Sequence, residues 1–151
     1  YSCASLVKAT IPDSVLSIGY CAFRNCPKLT HISIGKGVTW IDEEAFYNTG
    51  LYNNNSNWEN GILYINNYVV ATNRSVSGSC LIRNGTKVIA SGTFNYCTDL
   101  ISVVIPDSLL TIGDYVFYEC DGLTDVIIPD SVTTIGMGSF SFCSSKSFNG
   151  K

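Results

Sequence analysis

The sequence predicts an α/β repeat solenoid: short parallel strands stacked in columns, with short helical, 3-10 or irregular segments returning behind them. Three observations carry this expectation. Isoleucines stand at Ile11, Ile34, Ile82, Ile105 and Ile128, and seven residues later again at Ile18, Ile41, Ile89, Ile112 and Ile135. Five residues beyond those comes a phenylalanine, at Phe23, Phe46, Phe94, Phe117 and Phe140. Leucines open the units at Leu6, Leu29, Leu51, Leu100 and Leu123, and cysteines close them at Cys26, Cys97, Cys120 and Cys143, with Thr49 in one unit and Cys3 in the same column. The period is 23 residues. Agreement of this kind is the signature of a repeat array, in which no unit buries its own apolar edge and each neighbour completes the other's core.

Each piece of the unit has a physical meaning. In "LTDVII" the residues Leu123, Val126 and Ile128 point inward while Asp125 and Ile127 face out, the alternation of a half-buried strand. Pro129 ends that strand, having no N–H for a ladder, and Asp130 and Ser131 supply turn chemistry. Gly35–Lys36–Gly37 and Arg83–Asn84–Gly85 take the same place in two other units. "SVTTIG" is a second extended piece with Val132 and Ile135 inward, and the glycines at 19, 113 and 136 allow a corner. The stretch to Phe140 and Cys143 is predicted as a short helical or 3-10 return.

Between Leu51 and Cys80 the period fails. "YNNNSNWENG" is polar and turn-rich, and "ILYINNYVVAT" alternates on either side of Asn66–Asn67, the pattern of a β-hairpin. Residues 52–77 are therefore predicted as an inserted β-hairpin bulging from one edge. The whole chain, 1–151, reads as one domain with rungs starting near 6, 29, 77, 100 and 123 and a partial N-terminal rung over 1–5. Tyr1 enters in mid-repeat, as in a piece of something longer. At the other end Lys146 falls in the leucine column, which predicts that the stack stops there with Phe148 folding back as a lid.

The phrases "LTDVIIPDSVTTIGMGSFSFC" and "LISVVIPDSLLTIGDYVFYEC" resemble the BspA-type leucine-rich repeats of bacterial and protozoan surface proteins. The resemblance runs from Cys3 to Cys143 apart from the interruption, whose Asn60-Gly61-Ile62-Leu63-Tyr64 phrase is similar to interruptions in that family. It implies a right-handed leucine-rich-repeat solenoid on a secreted or cell-surface protein, engaged in adhesion or protein recognition. It brings no catalytic motif.

Composition agrees with that class. Charged residues are only 14% of the chain and nine basic against twelve acidic side chains leave a net charge of −3, so no basic stripe for nucleic acid is present. No apolar run reaches the length of a membrane span. The five cysteines of one column read as a ladder of small buried thiols. Strand spacing of ~5 Å leaves a disulfide open, although parallel Cβ directions make its torsion awkward. Without a C-x-x-C pair, and with one histidine, zinc is not expected. Asp13, Asp107 and Asp130 each follow proline, which points to turns rather than calcium. The sequons Asn54-Asn-Ser, Asn73-Arg-Ser and Asn84-Gly-Thr matter only on a eukaryotic secretory route.

No cofactor and no enzymatic activity are expected, since nothing provides an activated nucleophile or a paired acid and base. The candidate binding residues lie in the outward strand columns. One column runs Lys8, His31, Ser79, Ser102, Asp125; its neighbour runs Thr10, Ser33, Leu81, Val104, Ile127, polar early and aliphatic late. Leu81, Val104 and Ile127 form a stripe for a protein partner, with His31, and with Trp40 and Tyr47 near the interruption, as further candidates. The partner expected is an extracellular-matrix protein of a host or a protein on a partner cell. Two other readings stand beside it: a spacer that holds a distal domain away from a surface, and carbohydrate binding through Trp58 and the tyrosines of the insertion.

Overall fold

The computed structural model describes residues 2–144. In chain order the strands are β1 (Lys8–Ile11), β2 (Ser17–Ile18), β3 (His31–Ile34), β4 (Trp40–Ile41), β5 (Trp58–Glu59), β6 (Ile62–Ile65), β7 (Tyr68–Thr72), β8 (Gly78–Leu81), β9 (Val88–Ile89), β10 (Leu100–Val104), β11 (Thr111–Ile112), β12 (Asp125–Ile127) and β13 (Thr134–Ile135). Each regular turn contributes a first strand and a short second strand. The first strands form two parallel sheets, β1-β3 and β8-β10-β12. The second strands β7, β9, β11 and β13 run parallel in one sheet, and β2-β4 form another. Six second-strand places against five first-strand places make a β-solenoid of about six turns.

The α/β expectation is corrected. No described residue is α-helical, and the one 3-10 turn covers Asn55–Asn57. The returns are extended zigzags of tight turns in which alternate amides reach the next coil. Gly92, Phe94 and Tyr96 donate to Asp114, Val116 and Tyr118, while Asn95 and Cys97 donate back to Gly92 and Phe94. That geometry needs left-handed backbone at two places per return: Cys21 and Asn25, Glu44 and Asn48, Gly92 and Tyr96, Tyr115 and Glu119, Gly138 and Phe142. A helix would close its hydrogen bonds within one coil and leave the neighbouring coil unpaired.

The corner glycines are also explained differently. Gly113 and Gly136 have no positive φ. They are needed because coils touch there: a Cβ at Gly113 would stand 2.6 Å from the Ser91 amide nitrogen, and one at Gly136 would stand 2.4 Å from that of Asp114.

Inside, identical side chains stack along the axis. Phe94, Phe117 and Phe140 lie ring on ring at 5.3 and 5.2 Å, and Phe23 on Phe46 at 5.5 Å. The cysteine column is buried at Cys26, Cys97 and Cys120 and half-buried at Cys143, with every thiol free and Cys3 exposed. Cys120 donates to the Phe94 carbonyl at 3.0 Å and Cys143 to that of Phe117 at 2.9 Å. Ile135, expected inward, is 49% exposed, because among the described residues a coil flanks it on one side only. Tyr1, Lys146 and Phe148 lie outside the described residues.

The irregular segment does not bulge from an edge. β6 and β7 run antiparallel about Asn66–Asn67, and Tyr68–Val69 takes the second-strand place beside β9. Strand alternation then feeds two cores. Ile62 and Val69 pack with the later turns, whereas Leu63, Ile65, Tyr68 and Val70 pack with the earlier ones. The segment is a wall with two buried faces. Its tip is tied to the second turn by the Asn66 side chain, which accepts from the Ile34 amide at 2.9 Å, and by the Tyr68 hydroxyl, which donates to the Gly35 carbonyl at 2.7 Å.

Candidate functional site

The outer face of β8, β10 and β12 carries the aliphatic stripe. Leu81 pairs with Val104 and Val104 with Ile127 across the parallel ladder, so the three side chains stand in one row. They are 72%, 52% and 65% exposed. The cause is parity: Cys80, Val103 and Val126 between or beside them turn into the core and are buried. A bulge in the β8–β10 register lies at Ile101, which is also exposed.

His31 and Trp40 are not brought to this stripe. His31 is exposed on β3, where it pairs with Lys8 in the separate β1-β3 sheet and its Nδ1 lies 2.9 Å from the Thr30 hydroxyl. Trp40 is half-buried on β4, a second strand, paired with Ser17. Tyr47 is exposed on a return, beneath the guanidinium of Arg24 at 5.0 Å.

The aromatic side chains of the irregular segment hold its own structure. Trp58 donates its indole N–H to the Tyr52 carbonyl at 2.9 Å and meets the Tyr52 ring edge to face. The Tyr64 hydroxyl accepts from the Arg83 amide at 3.2 Å, and the Arg83 guanidinium lies 4.3 Å above its ring. Tyr68 is buried.

Because the third turn has no first strand, a cavity of about 870 Å³ opens beside β8, between Ile62, Tyr64, Val76, Cys80 and Leu81, with Glu59 at its rim. Glu59 and Arg83 form an exposed ion pair of 3.6 Å across that rim. Burial pushes the Cys80 thiol up to about 11, so it is a neutral lining group rather than a nucleophile. On the return side a second cleft of about 450 Å³ lies at the same break, lined by Arg24, Glu43, Glu44, Tyr52, Arg74 and Asn95 among others. Arg24 pairs with Glu44 there.

Sequence reasoning missed a row of aromatics on the returns of the later turns. Tyr96, Tyr115 and Phe142 each contact Tyr118 edge to face at 5.7, 5.7 and 5.4 Å, and Arg74 caps Tyr96 at 5.7 Å. Its signal was an aromatic one or two places from the phenylalanine column in successive units, as in Tyr96, Tyr118 and Phe142. Among the described residues no group of three His, Cys, Asp or Glu side chains is placed to hold a metal, and no helix is long and apolar enough to cross a membrane.

Short parallel strands, stacked identical side chains and non-helical returns define a leucine-rich-repeat solenoid of the β-rich kind. The chain belongs to the BspA type leucine rich repeat family: six copies of that repeat match over residues 1–86 and 64–149. Solved structures similar to it include the T. pallidum leucine rich repeat protein TpLRR (29% identity, 95% of this chain, 66% of that one, TM-score 0.47). A leucine rich cell surface protein from Faecalibacterium prausnitzii shares 26% identity over 94% of this chain and 39% of its own, with TM-score 0.47. The pneumococcal vaccine antigen PcpA shares the fold at 19% identity, over 87% of this chain and 47% of its own, with TM-score 0.50. The chain thus spans 66%, 39% and 47% of those proteins. No curated protein matches it.

Proposed function

We propose that this chain is a non-enzymatic protein-recognition module of a secreted or cell-surface protein, with an adhesive role toward extracellular-matrix or partner-cell proteins. One observation carries the reading: Leu81, Val104 and Ile127 stand in register, exposed, on three adjacent strands. An aliphatic row held rigidly in water is costly unless something covers it, and such rows mark contact surfaces. The family match and the surface protein among the structural relatives support the location.

The test is a binding screen of the chain against immobilised fibronectin, laminin and collagen and against partner cells, with Leu81→Asp/Val104→Asp/Ile127→Asp as the control variant. Binding that the triple variant loses by tenfold or more is the expected outcome. Binding that the triple variant retains in full would overturn the assignment to this row, and absence of binding by the unaltered chain to every surface would leave only the spacer role. Carbohydrate recognition through Trp58 finds less support, since its indole N–H and ring already engage Tyr52.

A further inference from the structure

We infer that the edge of β8 is a strand-addition site that takes an extended peptide segment of a protein partner, in the vacant first-strand place of the third turn. The inference rests on the recognition reading and specifies its mode.

β8 is the terminal strand of β12-β10-β8. Gly78 and Ile82 donate their amides to Asp99 and Val104, so the main-chain groups of even-numbered residues point at β10. In a strand the groups of the odd-numbered residues then point the opposite way. The first of them to leave the strand, the Arg83 amide, is met by the Tyr64 hydroxyl at 3.2 Å. Ser79 and Leu81 have no protein partner on that side among the described residues, and both are exposed. Two donor–acceptor sets ~6.6 Å apart are the repeat a second strand reads.

The occupant follows from what surrounds this edge. Beside it lies the cavity of about 870 Å³, room for several residues, floored by Ile62, Val76 and Cys80. A strand laid against β8 directs the side chain opposite Cys80 into that apolar floor. The side chain opposite Leu81 points outward and extends the row of Leu81, Val104 and Ile127. A partner segment with apolar residues on both faces is thus complementary to main chain, cavity and stripe together, which is the arrangement by which sheet edges capture peptides. Among the described residues, β3 is the other internal first-strand edge at this break, and it does not line the cavity. At β3, the corresponding Ile34 amide is already occupied by Asn66.

The probe is an acetylated, amidated peptide, Lys-(Val)4-Thr-Lys, added to the full chain labelled with nitrogen-15. Hydrogen exchange at the amides of Ser79 and Leu81 should slow at least tenfold, while that of Cys80, already bonded to β10, changes little. The same peptide N-methylated at alternate valines should bind at least tenfold more weakly. Ser79→Pro, which removes a groove-facing donor without breaking a bond to β10, should weaken binding equally, and circular dichroism checks its fold.

Peptide binding that is indifferent to N-methylation, or absent, overturns the inference. So does protection of the Ser79 and Leu81 amides before peptide is added, since a second copy or another part of the chain would then fill the place. Retention of matrix-protein binding through the aliphatic row in such a case leaves the recognition reading standing, so the two failures are told apart.

Discussion

Removing one ring from the phenylalanine stack tests the solenoid where its physics is most exposed. Phe117 is fully buried and lies between Phe94 at 5.3 Å and Phe140 at 5.2 Å, with interplanar angles of 23° and 21°. Phe117→Ala removes the transfer energy of a whole ring and leaves a void that neighbouring coils cannot close, because their backbones are fixed by inter-coil hydrogen bonds. Such substitutions cost ~3–5 kcal/mol, and loss of two ring–ring contacts of ~0.5–1.5 kcal/mol each places this one in the upper part of that range. Among the described residues Phe23 has one ring neighbour, Phe46 at 5.5 Å, and it is only half-buried. Phe23→Ala should therefore cost about half as much, ~2 kcal/mol. In urea, with a slope of ~2 kcal/mol per M, the midpoint falls by ~2 M for the first and ~1 M for the second. Amide exchange should rise throughout the later turns in Phe117→Ala, since in a repeat array each interface stabilises its neighbours. Equal midpoints for the two variants, or a cost below ~1 kcal/mol for Phe117→Ala, would refute the stacked-core account.

Further outcomes follow from particular contacts. Gly113→Ala should destabilise by more than ~2 kcal/mol because its Cβ meets the Ser91 backbone, whereas Gly19→Ala, with open space around it, should be neutral or slightly stabilising by urea denaturation. Tyr68→Phe removes the hydroxyl bonded to the Gly35 carbonyl and should cost ~1 kcal/mol in the same assay. Burial raises the thiols of Cys80 to about 11 and Cys120 to about 12 from an ordinary value of 9.0. The folded state thus holds these protons more tightly than the unfolded chain. The stabilisation is complete below pH ~9 and is lost as pH rises toward 11–12. Urea midpoints should fall across that interval, and at pH 8 a disulfide reagent should modify exposed Cys3 quickly but Cys80 and Cys120 only on unfolding.

The columns were legible because stacking demands the same residue at the same place in every coil. The isoleucine, phenylalanine and cysteine positions follow directly, and so does the outward parity of Leu81, Val104 and Ile127. The choice among helical, 3-10 and irregular returns was not legible, because their conformation leaves no clear residue signal. Tyr115, Glu119 and Phe142 occupy left-handed backbone at which glycine or asparagine would have been the cue. The irregular segment was half legible. Alternation in Ile62–Ile65 and Tyr68–Thr72 marks strands, yet the apolar residues on both faces, Leu63 against Ile62 and Val70 against Val69, are what a wall between two cores requires rather than an appendage with one wet face. The groove beside β8 had no signal at all, since it is made by a strand that the third turn does not have.

That absence explains why the candidate surfaces gather in one place. In an uninterrupted solenoid every internal strand edge is paired, and only the ends of the stack offer main chain to a partner. Here the third turn keeps its second strand and loses its first. β7 continues one column beside β9, with antiparallel β6 rather than β4 on its far side, while the other column breaks between β3 and β8. Continuity of the β7–β9 sheet and the double-faced packing of β6 and β7 hold the break rigid, so the opened edge is preorganised rather than frayed. The cleft bearing Arg24, Glu44 and Arg74 on the return side lies at the same discontinuity, where a regular return would have filled the space. The periodic coils thus act as the scaffold, and the one aperiodic coil is where this chain differs from a plain stack and where the proposed peptide site lies.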